Sequence, residues 1–468
     1  MTSASVNSSD ILMVTMGGTK SHKMPFWELA RGMISRGHNI TFLSAFPPDF
    51  HIPGLEEIAP SGLVSYVRRF MVFDLVGAKM KGEEPVPVGD IMRYGYEACD
   101  AFLSDFETRS FISSRRNFDL IILDGAYPEC ALGLVYRFKV PFMYINTVGF
   151  YTMPHSNSGS PAPYSVTPFF GKGFTDNMGF LDRAMNAAWH LGAMAMHTLS
   201  VTILQGVLRR HFGAQMPHVY DMSRNVSFIL HNGHYSVSYP RPYLPNVAEV
   251  ACIHCKEPKR LDPLIVNALG RLPQRVLWKQ DAEQNMTDIP SNVRLHKWLP
   301  QQDLLVPIVT IPVFCDHDSN AAKAELDGYA KKIELRHLTS EKLYQAIAEV
   351  ITEPRYKTEV KKRQLYLRDQ KESPLERAIY WTEYVLRHKG AYHLQSPAKD
   401  LSFFQYYMFD VVLFAIFMLI SIYVLISYTI RLGIKKLAMC LQNRQLDKPL
   451  LLRSKILINH SLLRKKKL

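Results

Sequence analysis

Cysteine is scarce in this chain. Six in 468 residues are too few and too scattered for a small disulfide-built scaffold. No repeat recurs at solenoid periods, which excludes an array architecture. Gly17-Gly18 is too short for a dinucleotide fingerprint, which needs G-x-G-x-x-G. The single C-x-x-C, Cys252-Ile253-His254-Cys255, has no second pair and so lacks the four ligands of a zinc site. Basic charge is scarce on the body as well. The formal net charge is +13, but residues 431–468 hold 11 Lys and Arg against one acid, Asp447, which leaves +3 on the other 430 residues. A nucleic-acid footprint needs clustered charge on the folded part, so no nucleic-acid partner is expected.

Apolar content is ample. With 47% hydrophobic residues the chain is neither disordered nor collagen-like. At about 150 residues per domain, its length suggests two or three domains. Residues 411–430 read VVLFAIFMLISIYVLISYTI, 20 residues without charge, Pro or Gly. As a helix they span about 30 Å, the thickness of a hydrocarbon core. Phe403, Phe404, Tyr406 and Tyr407 crowd the entrance as an interfacial belt would, and Arg431, Lys435 and Lys436 follow the exit. The positive-inside rule then places the tail in the cytosol and residues 1–410 in the lumen. Delivery to a lumen needs a leader, and residues 1–10, MTSASVNSSD, do not resemble one. Either a leader precedes this sequence or the orientation is reversed; the first is the expectation. Four N-x-[ST] triplets, at Asn7, Asn39, Asn225 and Asn285, fit a lumenal body. The ending Lys465-Lys466-Lys467-Leu468 resembles a dilysine retrieval signal of the endoplasmic reticulum membrane, and reads equally as more positive-inside charge.

The body alternates strand and helix signals. Ile11–Met16 is a short apolar run entering a Gly-Gly turn. Met24–Arg36 has helical apolar spacing with Gly37 suited to its C-terminal cap, and Asn39–Ala45 is β-rich. This β-α-β unit implies parallel strands with a right-handed crossover. It recurs at Phe118–Leu123, a helix near Glu129–Phe138, and Val140–Asn146. Strands that are apolar throughout are buried on both faces, so the pattern predicts a doubly wound α/β sheet. Residues 151–175 read as a loop, 176–215 as helix, Phe228–His231 as strand and Pro240–Val247 as an extended linker. Beyond it, Arg275–Trp278 and Thr310–Phe314 read as strands and Thr339–Thr352 as an amphipathic helix.

The loop after the first strand carries His22, the first side chain there with a pKa near neutrality. Asp124 ends the Phe118–Leu123 strand signal. Both therefore project from the carboxyl edge of a parallel sheet, where ligands bind. A His held by a carboxylate suits a general base that lifts a proton from a hydroxyl. Spacing alone leaves a purely structural hydrogen bond open too. The second constellation is Lys297-Trp298-Leu299-Pro300-Gln301-Gln302-Asp303-Leu304-Leu305, followed by Ile311-Pro312-Val313-Phe314-Cys315-Asp316-His317-Asp318-Ser319-Asn320.

These residues closely resemble the donor-binding signature of the UDP-glycosyltransferases, in particular the membrane-bound UDP-glucuronosyltransferase-like group. The resemblance extends to the His22 loop, Arg36-Gly37-His38-Asn39-Ile40-Thr41, the FDLIILD segment, the anchor and the basic tail. The Ala391-Tyr392-His393-Leu394 stretch looks like invertebrate members. It implies two doubly wound, GT-B type domains and one C-terminal transmembrane helix. An acceptor-binding domain would span 1–245, a UDP-sugar domain 250–375, a helical return 376–410, the anchor 411–430 and the tail 431–468. By the same resemblance His22 is the catalytic base and Asp124 the acid that orients it. Trp298 stacks on uracil, Gln301 is a nucleoside contact, and Asp316 and His317 grip the sugar hydroxyls, with Asn320 beside them. The reaction would be inverting, to a hydroxyl of a lipophilic acceptor. It would need no metal or cofactor, since the UDP-sugar is a co-substrate.

Two departures fall in the donor half. Relatives follow the Trp-Leu-Pro-Gln stretch with a strand, a His-Gly-Gly turn and a helix, whereas Leu305 here runs through Val306-Pro307 straight into the next strand signal. Upstream, Cys255–Pro263 joins a helix signal where relatives insert an apolar strand and a Ser/Gly turn. At position 317, His replaces the family's Gln. The His-Gly-Gly turn carries the diphosphate on backbone N–H groups and a helix dipole. The expectation is a truncated donor domain with weak or no turnover, as in an exon-skipped isoform or an incomplete gene model. The alternative is a non-catalytic, membrane-anchored binding or regulatory form that pairs with itself or with relatives.

Overall fold

The computed structural model describes residues 8–17, 19–48, 51–70, 72–254, 276–279, 293–296 and 307–464. The chain forms two compact units, 1–399 and 400–468.

Seven parallel strands make the sheet of the larger unit: β1 (Asp10–Thr15), β2 (Asn39–Ser44), β3 (Leu55–Ile58), β4 (Leu120–Asp124), β5 (Phe142–Asn146), β6 (Phe228–His231) and β7 (Val247–Glu249). Their order is β3-β2-β1-β4-β5-β6-β7. Val14 lies between Leu43 on β2 and Leu123 on β4. Alternation sends Leu12, Val14, Leu43, Ile121 and Leu123 to one face, against Phe102, Leu134 and Leu208. It sends Ile11, Met13, Phe42, Ile122 and Met143 to the other, against Phe26, Leu29 and Met33. Both faces are dry, as the unbroken apolar strands require, and each such side chain contributes about 1.5–3 kcal/mol by burial.

The Lys23–Ser35 helix ends in a Schellman turn. The Gly37 N–H bonds the Ile34 carbonyl at 2.9 Å and the His38 N–H bonds the Met33 carbonyl at 3.2 Å. Gly37 takes φ +91°, a conformation that a side chain would strain. The Pro374–Arg387 helix returns to this first helix and inserts Ala378, Ile379 and Val385 into the same core. A disulfide, Cys99–Cys130, joins the Val88–Ser104 helix to the turn beyond β4. Cys252 is disulfide-bonded as well, which removes its sulfur from zinc ligation.

Past the sheet come two short parallel pairs, β8 (Val276–Lys279) with β9 (Val293–His296), and β10 (Ile308–Thr310) with β11 (Ala330–Lys332). Between these last two lies the His317–Leu326 helix. The strand expected over 310–314 stops at Thr310, because Pro312 has no N–H to give a ladder. The linker expected over 240–247 runs directly into β7, which pairs with β6. In the second unit the Phe409–Arg464 helix includes a stretch, Phe409–Gln442, long and apolar enough to cross a membrane. The Phe180–Phe212 helix passes the same test of length and composition.

Candidate active site

The sheet reverses its winding between β1 and β4, and the carboxyl ends of the strands at such a switch point are where open α/β sheets bind ligands. Three side chains meet at that edge. After β1 a short turn, Lys20–His22, leads into the first helix and presents His22. Asp124 is the last residue of β4 and is buried. Thr147 is the first residue beyond β5.

His22 Nδ1 lies 3.0 Å from Asp124 Oδ2 and 2.7 Å from Thr147 Oγ1, and the Thr147 hydroxyl donates to Asp124 Oδ1 at 2.9 Å. One proton assignment satisfies all three contacts. The Thr147 hydrogen goes to Asp124, so its oxygen can only accept from His22, and the Nδ1–H is shared between that oxygen and the carboxylate. Nε2 is left with its lone pair free to take a proton. The Ala126 N–H adds a bond to Asp124 Oδ1 at 3.0 Å. The His22 side chain keeps 17% exposure while that of Asp124 keeps 1%, so a solute can reach the imidazole but not the carboxylate. Burial by itself lowers the His22 pKa; the charge and hydrogen bond of Asp124, with the charge of Asp316, outweigh it and hold the imidazole above its ordinary range.

That last influence brings the two halves of the unit together. Asp316 precedes the His317–Leu326 helix, and Asn320 Nδ2 donates to Asp316 Oδ2 at 2.8 Å. His317 Nδ1 faces the Phe314 N–H at 3.4 Å and so turns back on its own loop. Trp298 and Gln301 lie outside the described residues. Segments from earlier in the chain reach the same helix start. Lys79 Nζ bonds Asp318 Oδ2 at 3.0 Å, and the Gly171 N–H bonds Ser319 Oγ at 3.2 Å. Cys315 is half-buried, and burial, then Asp316, pushes its thiol up to about 12, so it is no nucleophile at neutral pH.

Sequence reading missed Thr147. The signal was available: the residue after a third strand of the same parallel set must emerge at the edge that carries His22 and Asp124.

The sequence profile of the family described as "UDP-glucoronosyl and UDP-glucosyl transferase" matches residues 78–264, 262–305 and 306–444. The chain is 28% identical over 446 residues to UDP-glucosyltransferase 2 of Dactylopius coccus, covering 82% of this chain and 85% of that one. It is 27% identical over 469 residues to human UDP-glucuronosyltransferase 2B7, covering 84% of this chain and 87% of that one. Among solved structures it resembles the glycotransferase of kitacinnamycin, with a TM-score of 0.51, 14% identity, and coverage of 82% of this chain and 100% of the other. The profile breaks at 262–264 and at 305–306, the two points where the sequence departs from the family pattern. The human alignment is 469 residues long yet takes in only 84% of a 468-residue chain, so the relative carries stretches with no counterpart here.

Proposed function

We propose, from the premise that this chain belongs to the UDP-glucoronosyl and UDP-glucosyl transferase family, that it is organised for inverting sugar transfer from a UDP-sugar to a hydroxyl of a lipophilic small molecule, and that its shortened donor half leaves turnover weak or absent. The observation that carries the chemical reading is the closed His22–Asp124–Thr147 triangle beside Asp316. His22 Nε2 takes the acceptor proton as the oxygen attacks the anomeric carbon. The bond from that carbon to the UDP oxygen breaks on the opposite face, and UDP leaves with the electron pair. Asp124 stabilises the imidazolium that forms, as a general base requires. Asp316, His317 and Asn320, with Trp298 and Gln301, are assigned to the donor.

The impairment rests on the two profile breaks and on what relatives place there. Each lost donor to a developing phosphate charge costs about 3–4 kcal/mol, or roughly 10²–10³ in rate. Expression in microsomes with UDP-sugars and phenolic acceptors tests this. Turnover comparable to an intact relative would overturn the impairment while leaving the family reading intact. A second reading, a non-catalytic binding form, draws support from the donor-side polar groups that are already paired within the chain, Asp318 with Lys79 and Asp316 with Asn320. A His22→Ala change that leaves the cellular effect of the chain intact favours that form.

We also assign the body to the lumen of the endoplasmic reticulum and the tail to the cytosol. The Cys99–Cys130 disulfide supports an oxidising compartment, and the charge step after residue 430 supports the sidedness.

A further inference from the structure

We propose that Asn225 is an N-glycosylation site. The proposal rests on the lumenal assignment of the body. Of the four sequons that precede the apolar 411–430 span, those of Asn7 and Asn285 lie outside the described residues. Asn39 opens β2 within the parallel ladder; its N–H bonds the Ser9 carbonyl at 3.0 Å and its amide donates to Asp10 Oδ1 at 2.9 Å. The Asn39 side chain is thus tied to the neighbouring strand.

Asn225 stands elsewhere. It lies in the turn between the Val219–Ser223 helix and β6, and is exposed. Its Oδ1 accepts from Lys399 at 3.2 Å, while the Nδ2 that would carry a sugar makes a long contact to the Asp221 carbonyl at 3.3 Å. One such contact leaves room for a bulky substituent in solvent. The turn sits at the amino end of β6, opposite the edge that holds His22 and Asp124, so a glycan there leaves that edge open.

Ser227 supplies the second observation. It is fully buried, and its Oγ has no hydrogen-bond partner among the described residues. An unpartnered buried hydroxyl is a net loss to the fold, which an alanine of similar size would avoid. The hydroxyl has a use before folding. In the extended chain the Asn225-Val226-Ser227 triplet is the acceptor signal. The Nδ2 then forms a bond to the anomeric carbon of an oligosaccharide carried on a lipid pyrophosphate. The bond from that carbon to the pyrophosphate oxygen breaks, the lipid pyrophosphate leaves with the electron pair, and the amide proton passes to a base of the transferring enzyme. Folding afterwards buries Ser227 and leaves Asn225 outside.

The experiment expresses the full chain in animal cells and reads its gel mobility before and after endoglycosidase. The wild type should lose one or more glycan steps. Asn225→Gln and Ser227→Ala should each remove one step, and Ser227→Ala should not weaken the fold. A body that is protected from protease in intact microsomes, but whose shift is unchanged by both variants, overturns the site and leaves the orientation standing. A body that added protease digests in intact microsomes overturns the lumenal assignment and the site with it.

Discussion

At the scale of single residues, the site turns on which way the His22 proton balance tips. Burial pulls its pKa down, Asp124 and Asp316 pull it up, and the net effect is upward. Removing one acid at a time separates these influences. With Asp124→Asn only the more distant Asp316 still opposes burial, and the His22 midpoint should fall toward the ordinary histidine value or below it. With Asp316→Asn it should fall by less. An NMR titration of the imidazole C–H signals measures both shifts without needing turnover. If the Asp316 change leaves His22 unmoved, the two halves do not converge as described. The linkage to stability has a definite sign. A folded-state pKa raised above the unfolded one means that the His22–Asp124 bond contributes in full below the unfolded pKa. The contribution fades as pH rises through the folded one. Thr147→Val keeps the shape and removes the hydroxyl that closes the triangle. It should weaken the fold by of the order of 1 kcal/mol, because Thr147 is half-buried and bonds a charged group. It should also change the His22 midpoint, which a loss of packing alone would not.

At the scale of elements, the first helix and the return helix form one joint. Ile379 is 2% exposed and packs among Phe26, Leu29 and Met33, far along the chain from the segments it supports. Ile379→Ala should cost about 2–5 kcal/mol in a denaturant series, with the His22 titration unchanged in the folded state. The disulfide is a second joint. It closes a separation of 31 residues, and Cys99→Ser should cost about 2–4 kcal/mol. The wild type should also migrate faster without reductant than with it, and equal mobility would count against the bond. The strands that cross the buried sheet were legible because each is an apolar run ended by a turn signal. Gly37 was legible as a cap for the same local reason. β3 and β7 escaped, since Leu-Glu-Glu-Ile and Val-Ala-Glu carry no strand pattern of their own and are strands only by pairing at the sheet edges. The disulfide escaped because contact between residues 99 and 130 is a fact of packing. His22 and Asp124 could be placed at one edge from sequence. Thr147 follows β5 and could have been placed there by the same rule; the reach of Asp316 to His22 needed the third dimension.

At the scale of the whole molecule, the described residues complete one wall of the proposed site. That wall is the seven-stranded sheet with two dry faces, assigned to the acceptor under the proposed function. Beyond it the described residues hold two short two-stranded pairs, and the start of the His317–Leu326 helix is engaged by Lys79 and by the Gly171 backbone. On the proposed function, a nucleotide entering there would stack on Trp298 and meet Asp316 and Asn320. On the proposed reading it meets neither the turn nor the helix start assigned to the diphosphate in relatives. Two or more charge-assisted hydrogen bonds, each worth about 1.5–3 kcal/mol, are then missing from its binding. UDP should therefore bind this chain at least about 10²-fold more weakly than it binds an intact relative, since 1.4 kcal/mol is a factor of ten. Uridine, which has no phosphates to lose, should bind the two proteins within about tenfold of each other. Calorimetric titration of both ligands against both proteins decides the matter. A chain that loses UDP and uridine affinity together lacks a folded donor domain altogether. One that keeps full UDP affinity has built a diphosphate nest from other residues, and the proposed impairment would then have to be abandoned.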